Sequence, residues 1–181
     1  MNVPIDISTV RIKTERLILR PFCEADLNDF YEYASVDGVG QMAGWLPHKN
    51  KDETKMILDM FIVGKKTFAI EYKGKVIGSL GIEKYNENEI PEFSSQKGRE
   101  LGYVLSKDYW GQGIMPEAVM AVIEYCFKTL KLDFLVCGHF NDNLQSSRVQ
   151  EKCGFTHYKQ IKYETRYGVV KDCWLSILKN K

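Results

Sequence analysis

The sequence predicts one α/β domain with a mixed sheet, and three observations support this fold class. Short β-rich segments alternate with amphipathic helical segments in the order β-α-α-β-β-β-α-β-α-β-β, which is typical of an α/β sandwich. A chain of 181 residues can form one well-packed core but is short for two. No internal repeat and no low-complexity linker interrupts it. We therefore expect residues 1–181 to form a single domain.

The first half of the chain predicts a strand, two helices and a hairpin. Residues 16–22 alternate basic and apolar side chains, as a strand with one buried face does, and residues 24–34 have apolar residues at helical spacing. The glycine-rich residues 36–50 predict a loop, and acids at the start of residues 52–63 favour a second helix. The apolar residues at helical spacing in this second helix are Met56, Met60 and Val63. Two β-rich runs that flank residues 73–75 predict a hairpin.

The second half of the chain predicts further strands and two more helices. Residues 86–98 are polar and predict a mobile excursion from the sheet. The continuous apolar run 133–140 has strand length and predicts a central strand that is covered on both faces. The remaining predicted elements are a strand at 99–106, a helix at 116–130, a helix from 144 that stops at Gly154, and closing strands at 156–163 and 169–178 around a turn near Tyr167-Gly168.

The turn between the strand at 99–106 and the next helix carries the most chemical information. It reads Trp110-Gly111-Gln112-Gly113-Ile114-Met115-Pro116-Glu117. Two glycines at a strand-to-helix turn leave backbone N–H groups free to converge on an anion, and the positive end of the helix dipole points to the same place. The arrangement suits a pyrophosphate, although a tight glycine turn that only opens a helix explains the motif equally well. The chain has no GK[ST] motif and no third glycine, which argues against a Walker loop and a dinucleotide-binding fold.

A wider pattern surrounds this turn. The segment ELGYVLSKDYWGQGIMPEAV, followed one strand later by NDNLQSSRVQEKCGF, resembles the GNAT acetyltransferase superfamily. The opening TERLILRPF…ADLNDFYEY is similar to the first strand and helix of the branch that acetylates the N-termini of ribosomal proteins, the Rim type. The resemblance covers nearly the whole chain. It implies a GNAT fold, with a mixed and mostly antiparallel central sheet of about six to seven strands and helices on both faces.

The resemblance also implies the cofactor and its contacts. It implies acetyl-CoA as co-substrate, direct transfer to an amine without an acyl-enzyme, and no metal. The residues implied in cofactor binding are Tyr103, Val104, Leu105, Gly111, Gln112, Gly113, Ile114, Met115, Asn143 and Ser146. Trp110 and Met115 depart from the family's [RQ]xxGx[GA] turn, and we expect Met115 to narrow the clearance of the turn.

Two residues are predicted to be catalytic, and each has a structural alternative. Glu100 corresponds to the acid of the branch's EIGY pattern and is predicted to take a proton from the amine, through water. Alternatively, it is an exposed carboxylate that pairs with Arg99 or a lysine. Ser146 is predicted to hydrogen-bond the departing sulfur, or else it only fills the first turn of a helix that Asn143 caps. Many family members have a tyrosine acid where this chain has Gln150.

The strand edge is predicted to serve the cofactor. The family's strands separate beside the strand at 99–106, so pantetheine can pair with the open edge like an added strand. The backbone amide of Val104 or Leu105 is predicted to stabilise the oxyanion.

The acceptor is predicted from proton affinities. An α-amino group has a pKa of about 7.7–8.0 and a lysine about 10.4, so a carboxylate base is better matched to a protein N-terminus. Tyr31, Trp45 and Tyr85 are candidates for the acceptor pocket, or they are ordinary core aromatics. Two alternatives stay open: a small-molecule amine such as a polyamine or aminoglycoside, and a non-catalytic acyl-CoA-binding domain. A pocket for a polyamine would use acids that the polar excursion can supply, namely Glu87, Glu89 and Glu92.

Composition restricts the remaining partners. A formal net charge of +1 gives no field that would attract nucleic acid or an anionic membrane. The five cysteines are scattered without a CxxC pair, which argues against a disulfide framework and a zinc site and favours a reducing cytoplasm. The N-terminus does not resemble a signal peptide. The resemblance allows a homodimer, although the sequence shows no exposed apolar stripe that supports one.

Overall fold

The computed structural model describes residues 1–180, which form one open sheet of eight strands with four α-helices. The strands are β1 Ile12–Lys13, β2 Leu17–Pro21, β3 Thr67–Tyr72, β4 Lys75–Glu83, β5 Gly98–Leu105, β6 Phe134–Phe140, β7 Thr156–Glu164 and β8 Val170–Lys179. The helices are α1 Leu27–Ala34, α2 Lys51–Gly64, α3 Ile114–Lys128 and α4 Leu144–Lys152. None of these helices has both the length and the apolar character that a membrane span requires. The predicted fold class is confirmed, with one more strand than predicted because the two-residue β1 pairs with β2.

The strand order is β1-β2-β3-β4-β5-β6-β8-β7. Neighbouring strands pair antiparallel except β5 and β6, which run parallel. The predicted central strand β6 lies between β5 and β8, and six of its seven residues are buried. The parallel pair is therefore in the middle of the sheet, with α3 as the crossover between its two strands.

Local signals end and begin the elements where the sequence predicts. The Asn50 side chain caps α2 by accepting a hydrogen bond from the Glu53 N–H, 2.9 Å away. Lys73 and Gly74 both have positive φ, as a two-residue type I′ hairpin turn requires. Gly154 ends α4 in the left-handed conformation, with a φ of 86°.

Helices cover both faces of the sheet, as the resemblance implies. On β3, Phe68 and Ile70 pack with α3, whereas Ala69 packs with α1 and α2. This alternation follows from the two-residue period of a strand. We call the side covered by α1 and α2 the α1 face, and the side covered by α3 and α4 the α3 face.

Helix α2 is where the sequence-based prediction fails most clearly. Met56, Met60 and Val63 recur at helical spacing, but they are 68%, 62% and 80% exposed. The helix instead buries Thr54 and Leu58 against the sheet. Because the helix has apolar residues on two sides, periodicity alone does not indicate which side packs. The expectation that the chain has no exposed apolar stripe is therefore wrong.

The polar segment at 86–98 is anchored to the sheet. Ile90 and Phe93 are buried, and the ring centroid of Phe93 lies 4.9 Å from that of Phe134 on β6. Residues 91–93 form a 3-10 turn between these contacts. The prediction of an excursion from the sheet is therefore wrong for this part of the segment, because two apolar side chains in a polar sequence are enough to hold it against the core.

Candidate active site

The site is built around a gap between the two parallel strands. β5 pairs with β6 only from Gly98 to Glu100, although it stays paired with β4 through Leu105. β6 continues beside β8 as far as Phe140. The edge of β5 beyond Glu100 therefore borders a cleft of about 1160 Å³, which reaches both faces of the sheet. The strand separation that the resemblance implies is present.

The hydrogen bonds of β5 decide which of its amides face the gap. The Ser106 N–H donates to Ile77 O in the β4–β5 ladder. Since a strand directs alternate N–H groups to the same neighbour, the Val104 N–H also points to β4, and those of Tyr103 and Leu105 point to the open edge. Of the two amides predicted to stabilise an oxyanion, only that of Leu105 is available.

The glycine turn lies at the end of this open edge. Gly111 and Gly113 each have a φ of 73°, in the left-handed region that favours glycine, and Gly113 precedes α3. Within residues 1–180, the backbone N–H groups of residues 111–115 donate to no protein acceptor. These N–H groups and the positive end of the helix dipole are therefore free to interact with an anionic group.

The two departures from the family turn do not obstruct it. Met115 is 5% exposed and its side chain packs in the core on the α3 face, so the prediction that it narrows the turn is wrong. Trp110 donates its indole N–H to Leu105 O at 2.8 Å, which ties the turn to the end of β5.

The structure adds a cation to the turn that the sequence did not reveal. Arg16 donates from Nη1 to Gln112 O at 2.9 Å and from Nε to the Glu117 carboxylate at 2.6 Å. Its Nη2 atom lies 3.6 Å from the place that a Cβ on Gly113 would take. Arg16 is 96 residues from Gln112 in the chain, so no local motif could have joined them.

Asn143 and Ser146 lie where α4 begins, on the α3 face of the gap. Asn143 Oδ1 accepts from the Ser146 N–H at 3.1 Å, and its Nδ2 donates to Met42 O at 3.3 Å. Asn143 is therefore a helix cap that also holds the loop before α2. The hydroxyl of the buried Ser146 lies 2.9 Å from the Tyr103 hydroxyl of β5. The structure thus places a phenol beside the serine predicted to contact the sulfur.

Gln150 fixes the orientation of these groups. It is buried, and its amide nitrogen lies 3.1 Å from Gly138 O and 3.4 Å from Ser146 Oγ. Its Oε1 atom pairs with His139 Nδ1 at 3.0 Å. Burial lowers the pKa of His139 and raises the pKa of Tyr103 well above its usual value, so both are neutral at pH 7. Sequence reasoning missed the pairing of Tyr103 with Ser146 because it depends on how α4 packs on β5.

Glu100 lies on the opposite, α1 face of the same gap. Its carboxylate Oε1 is 3.7 Å from the place that a Cβ on Gly138 of β6 would take. Burial, followed by the negative charge of Glu83, raises the pKa of Glu100 to about 7. Within residues 1–180 it forms no hydrogen bond or ion pair. The alternative of a carboxylate paired with Arg99 is wrong, because the Arg99 guanidinium donates to Val3 O.

Glu83 is the neighbour that sequence reasoning missed. It lies directly opposite Glu100 in the antiparallel register of β4 and β5, so the two side chains share the α1 face. Its carboxylate forms an ion pair with Lys66. A strand register is needed to bring Glu83 and Glu100 together, since 17 positions separate them in the chain.

Only some of the residues predicted to contact the acceptor line the cleft. Trp45 and Tyr85 line the cleft, but Tyr31 on α1 does not. Among the three acids of the polar segment, Glu89 lines the cleft, and its Oε2 atom lies 3.8 Å from Lys159 Nζ. The other two acids, Glu87 and Glu92, lie outside the cleft lining.

No thiol in the cleft is prepared for nucleophilic attack. Burial raises the pKa of Cys173, which lines the cleft, to about 11 and that of Cys137 still further. Cys153 packs in the core and its pKa is likewise raised to about 11, while His157 stacks on Trp174. Protonated thiols agree with direct transfer rather than an acyl-enzyme.

A sheet that opens beside a glycine turn with free N–H groups, with a carboxylate on one face and hydroxyls on the other, is the arrangement of a coenzyme A-dependent acyltransferase. The profile of the Acetyltransferase (GNAT) domain matches residues 16–156, and the chain belongs to this family. The protein is an acetyl-CoA-dependent N-acetyltransferase.

Relatives share both the sequence and the fold. The chain is 29% identical over 151 residues to the uncharacterized N-acetyltransferase YoaA of Bacillus subtilis (strain 168), covering 80% of this chain and 81% of that one. It is 28% identical over 178 residues to the uncharacterized N-acetyltransferase p20 of Bacillus licheniformis, covering 93% of this chain and 96% of that one. The fold is similar to the crystal structure of a GNAT-family acetyltransferase from Bacillus anthracis, with a TM-score of 0.81 and 24% identity. The match covers 94% of this chain and 98% of that one.

Proposed function

We propose that the protein transfers the acetyl group of acetyl-CoA to the N-terminal α-amino group of a protein, such as a ribosomal protein. The observation that carries this proposal is the unpaired carboxylate of Glu100 at the gap between β5 and β6, with a pKa of about 7. A base with this pKa is well matched to an α-amino group, whose pKa is about 7.7–8.0. Deprotonating a lysine instead would require about 3.4 kcal/mol more, from a pKa difference of roughly 2.5.

The cofactor is bound by the open edge and the turn. Pantetheine pairs with the free edge of β5 through Tyr103 and Leu105, and the pyrophosphate lies on the N–H groups of the turn. Val104 offers the cofactor no N–H, because its amide is used in the ladder with β4, and its side chain packs on the α1 face. The residues proposed for the turn contacts are Gly111, Gln112, Gly113, Ile114 and Met115. Asn143 shapes the start of α4 beside the pantetheine, and Ser146 lies at the sulfur.

The chemistry proceeds through the gap, from one face of the sheet to the other. Glu100 takes one proton from the ammonium form of the acceptor, directly or through one water, on the α1 face, and this leaves a neutral amine. The amine nitrogen then bonds to the acetyl carbon and passes its second proton to water, while the Leu105 N–H stabilises the oxyanion that forms. The carbon–sulfur bond breaks on the α3 face, where the Ser146 hydroxyl hydrogen-bonds the thiolate. The Tyr103 hydroxyl lies 2.9 Å from Ser146 Oγ; with Tyr103 as the donor of this hydrogen bond, the proton of Ser146 is free to point towards the sulfur.

Structural neighbours supply both the main candidate and the alternative. A protein described as a candidate ribosomal-protein-serine acetyltransferase, from Vibrio cholerae, has a TM-score of 0.77 to this chain, and a ribosomal-protein-S5-alanine acetyltransferase from Vibrio fischeri has a TM-score of 0.69. A spermidine N-acetyltransferase from Vibrio cholerae has 0.74. All are 18–21% identical to this chain, so our proposal for the acceptor rests on the site and not on these names. The alternative, a small-molecule amine, would use the neighbouring carboxylates of Glu83 and Glu100, of which Glu83 already forms an ion pair with Lys66.

Two measurements test the proposal. Calorimetry with acetyl-CoA should show one site per chain, and absence of binding would contradict the role of the turn. A thiol-release assay should then show a higher kcat/KM for peptides with a free N-terminus than for N-terminally blocked lysine peptides, spermidine or an aminoglycoside. Preference for spermidine would support the alternative. Tight acetyl-CoA binding without turnover of any amine would instead indicate a non-catalytic acyl-CoA-binding domain.

A further inference from the structure

Gly102 is a glycine that neither the backbone nor the packing requires, and Gly81 is its partner on the neighbouring strand. They lie opposite each other in the middle of β4 and β5, and neither has a positive φ. A Cβ on Gly78 would lie 2.4 Å from Val104 O, and one on Gly98 would lie 2.2 Å from the Phe134 ring, so packing explains those two. By contrast, a Cβ on Gly102 would have no atom within 4 Å.

The space above Gly102 is continuous with the cleft on the α1 face. Residues 100, 102 and 104 of β5 share this face because strand side chains alternate, and they pair with residues 83, 81 and 79 of β4. Gly102 is exposed although it lies in a central strand of an eight-stranded sheet. On Gly81, a Cβ would lie 2.6 Å from Glu83 Oε1 and 3.3 Å from Glu83 Cδ and Cγ, so the Glu83 side chain already covers this glycine. A glycine inside a strand is unfavourable unless something must approach the backbone closely.

We propose that Gly102 forms the floor of the acceptor-binding site, beside the Glu83 side chain that covers Gly81, and that this site takes a primary amine with a neutral, apolar group beside it. The proposal rests on the proposed function and specifies its substrate. The amine lies at Glu100, two residues from Gly102 on the same face, and the adjoining group lies flat on Gly102.

The walls of this part of the cleft indicate the chemistry of the substrate. The side chains that line it from α1, α2 and the loop between them are mostly apolar or aromatic: Phe30, Val39, Trp45, Ile57 and Phe61. Two of the acids that line the cleft are already paired, Glu83 with Lys66 and Glu89 with Lys159. Of the other acids in the lining, Glu53 accepts a hydrogen bond from the Lys49 N–H and Glu164 lies at the end of β7, so Glu100 is the unpaired carboxylate at the gap between β5 and β6. A polyamine or aminoglycoside carries several charges, each of which needs a partner, whereas a monoamine needs only one.

The test uses matched glycine substitutions and three amines: phenylalanine amide, glycine amide and spermidine. Gly102→Ala should raise the KM of phenylalanine amide about 3-fold, and Gly102→Val more than 10-fold, because the added carbons fill the floor. The dissociation constant of acetyl-CoA should change less than 2-fold. Gly64→Ala at the end of α2 is the control, since Gly64 also has room for a Cβ and lies outside the cleft. Thermal unfolding establishes that each variant is folded.

The outcomes separate this inference from the proposed function. If the wild-type protein acetylates phenylalanine amide and both Gly102 variants keep the wild-type KM, the role of Gly102 in acceptor binding is wrong and the proposed function stands. Loss of acetyl-CoA affinity in Gly102→Ala would place the glycine at the cofactor and would also overturn its role in acceptor binding. A higher kcat/KM for spermidine than for phenylalanine amide would overturn the substrate class. Absence of turnover with all three amines would overturn the proposed function and this inference together.

Discussion

Two pairs of glycines in this protein differ in why they are glycines. Gly111 and Gly113, in the turn before α3, have a φ of 73° that other residues adopt only with strain. Gly81 and Gly102, in the centre of the sheet, have ordinary strand conformations, and of the two only Gly102 has open space above it, because the Glu83 side chain covers Gly81. The first pair is required by the backbone, whereas Gly102 leaves room for the acceptor that we propose. In that proposal the turn and the cleft have separate tasks, the binding of the cofactor and the chemistry on the acceptor.

The largest expected effect is at the turn. Gly113→Val should abolish measurable acetyl-CoA binding, because the φ of 73° strains a β-branched residue and the turn must rearrange. Calorimetry measures the loss. Gly74→Val is the matched control: Gly74 has a φ of 80° in the exposed β3–β4 hairpin, with no atom within 4 Å of its Cβ position. Equal loss of acetyl-CoA binding in both variants would mean that a strained valine disturbs the whole fold. It would contradict a specific role of the turn in cofactor binding.

The next largest effect is expected in the cleft. Glu100→Gln should lower kcat/KM about 10²-fold, the lower end of the range for a general base, with an unchanged acetyl-CoA dissociation constant. For the wild-type protein, kcat/KM should rise with pH and approach its plateau above a pKa of about 7, as Glu100 loses its proton. Glu92→Gln, outside the cleft, should match the wild type. A pH profile of Glu100→Gln that kept the same inflection would assign the base to another group.

A smaller effect is expected on the α3 face of the gap. Ser146→Ala should lower kcat about 10-fold with little change in the acetyl-CoA dissociation constant, through loss of the hydrogen bond to the thiolate. Tyr103→Phe should lower kcat less, because it acts through Ser146. In the double variant, Tyr103→Phe should have no further effect. Additive losses would show that Tyr103 acts independently. Tyr125→Phe, on α3 and outside the cleft, controls for the loss of a phenol.

The smallest effect concerns stability. The folded-state pKa of Glu100 is raised to about 7 from its usual value near 4.3, so the folded protein holds this proton more tightly. The contribution of Glu100 to stability is therefore complete below about pH 4.3 and is lost as the pH rises through 7. The melting temperature of Glu100→Gln relative to the wild type should rise between pH 4.3 and pH 8 by a few degrees. A difference in melting temperature between the two proteins that does not change with pH would contradict the raised pKa and would place the Glu100 carboxylate in water, outside the cleft.

Much of the fold was predictable because its signals are local. The Lys73-Gly74 turn and the stop at Gly154 each act within a few residues, and the structure confirms both predictions; the Asn50 cap, which the structure adds, is equally local. Helix α2 shows the limit of such signals. Its apolar residues lie on two sides, and only packing on the sheet decides that Leu58 is buried and Met56 exposed.

The sequence by itself determined the α/β class, the order of the elements and the glycine turn with its free N–H groups, because each depends on short-range periodicity or on the conformation that glycine allows. Only the tertiary structure decided the contents of the cleft. The register of β4 and β5 places Glu83 opposite Glu100, and the packing of α4 brings Ser146 to Tyr103. The strand geometry also leaves Gly102 uncovered. These contacts join residues distant in the chain, and no local pattern encodes a strand register or the gap where two strands part.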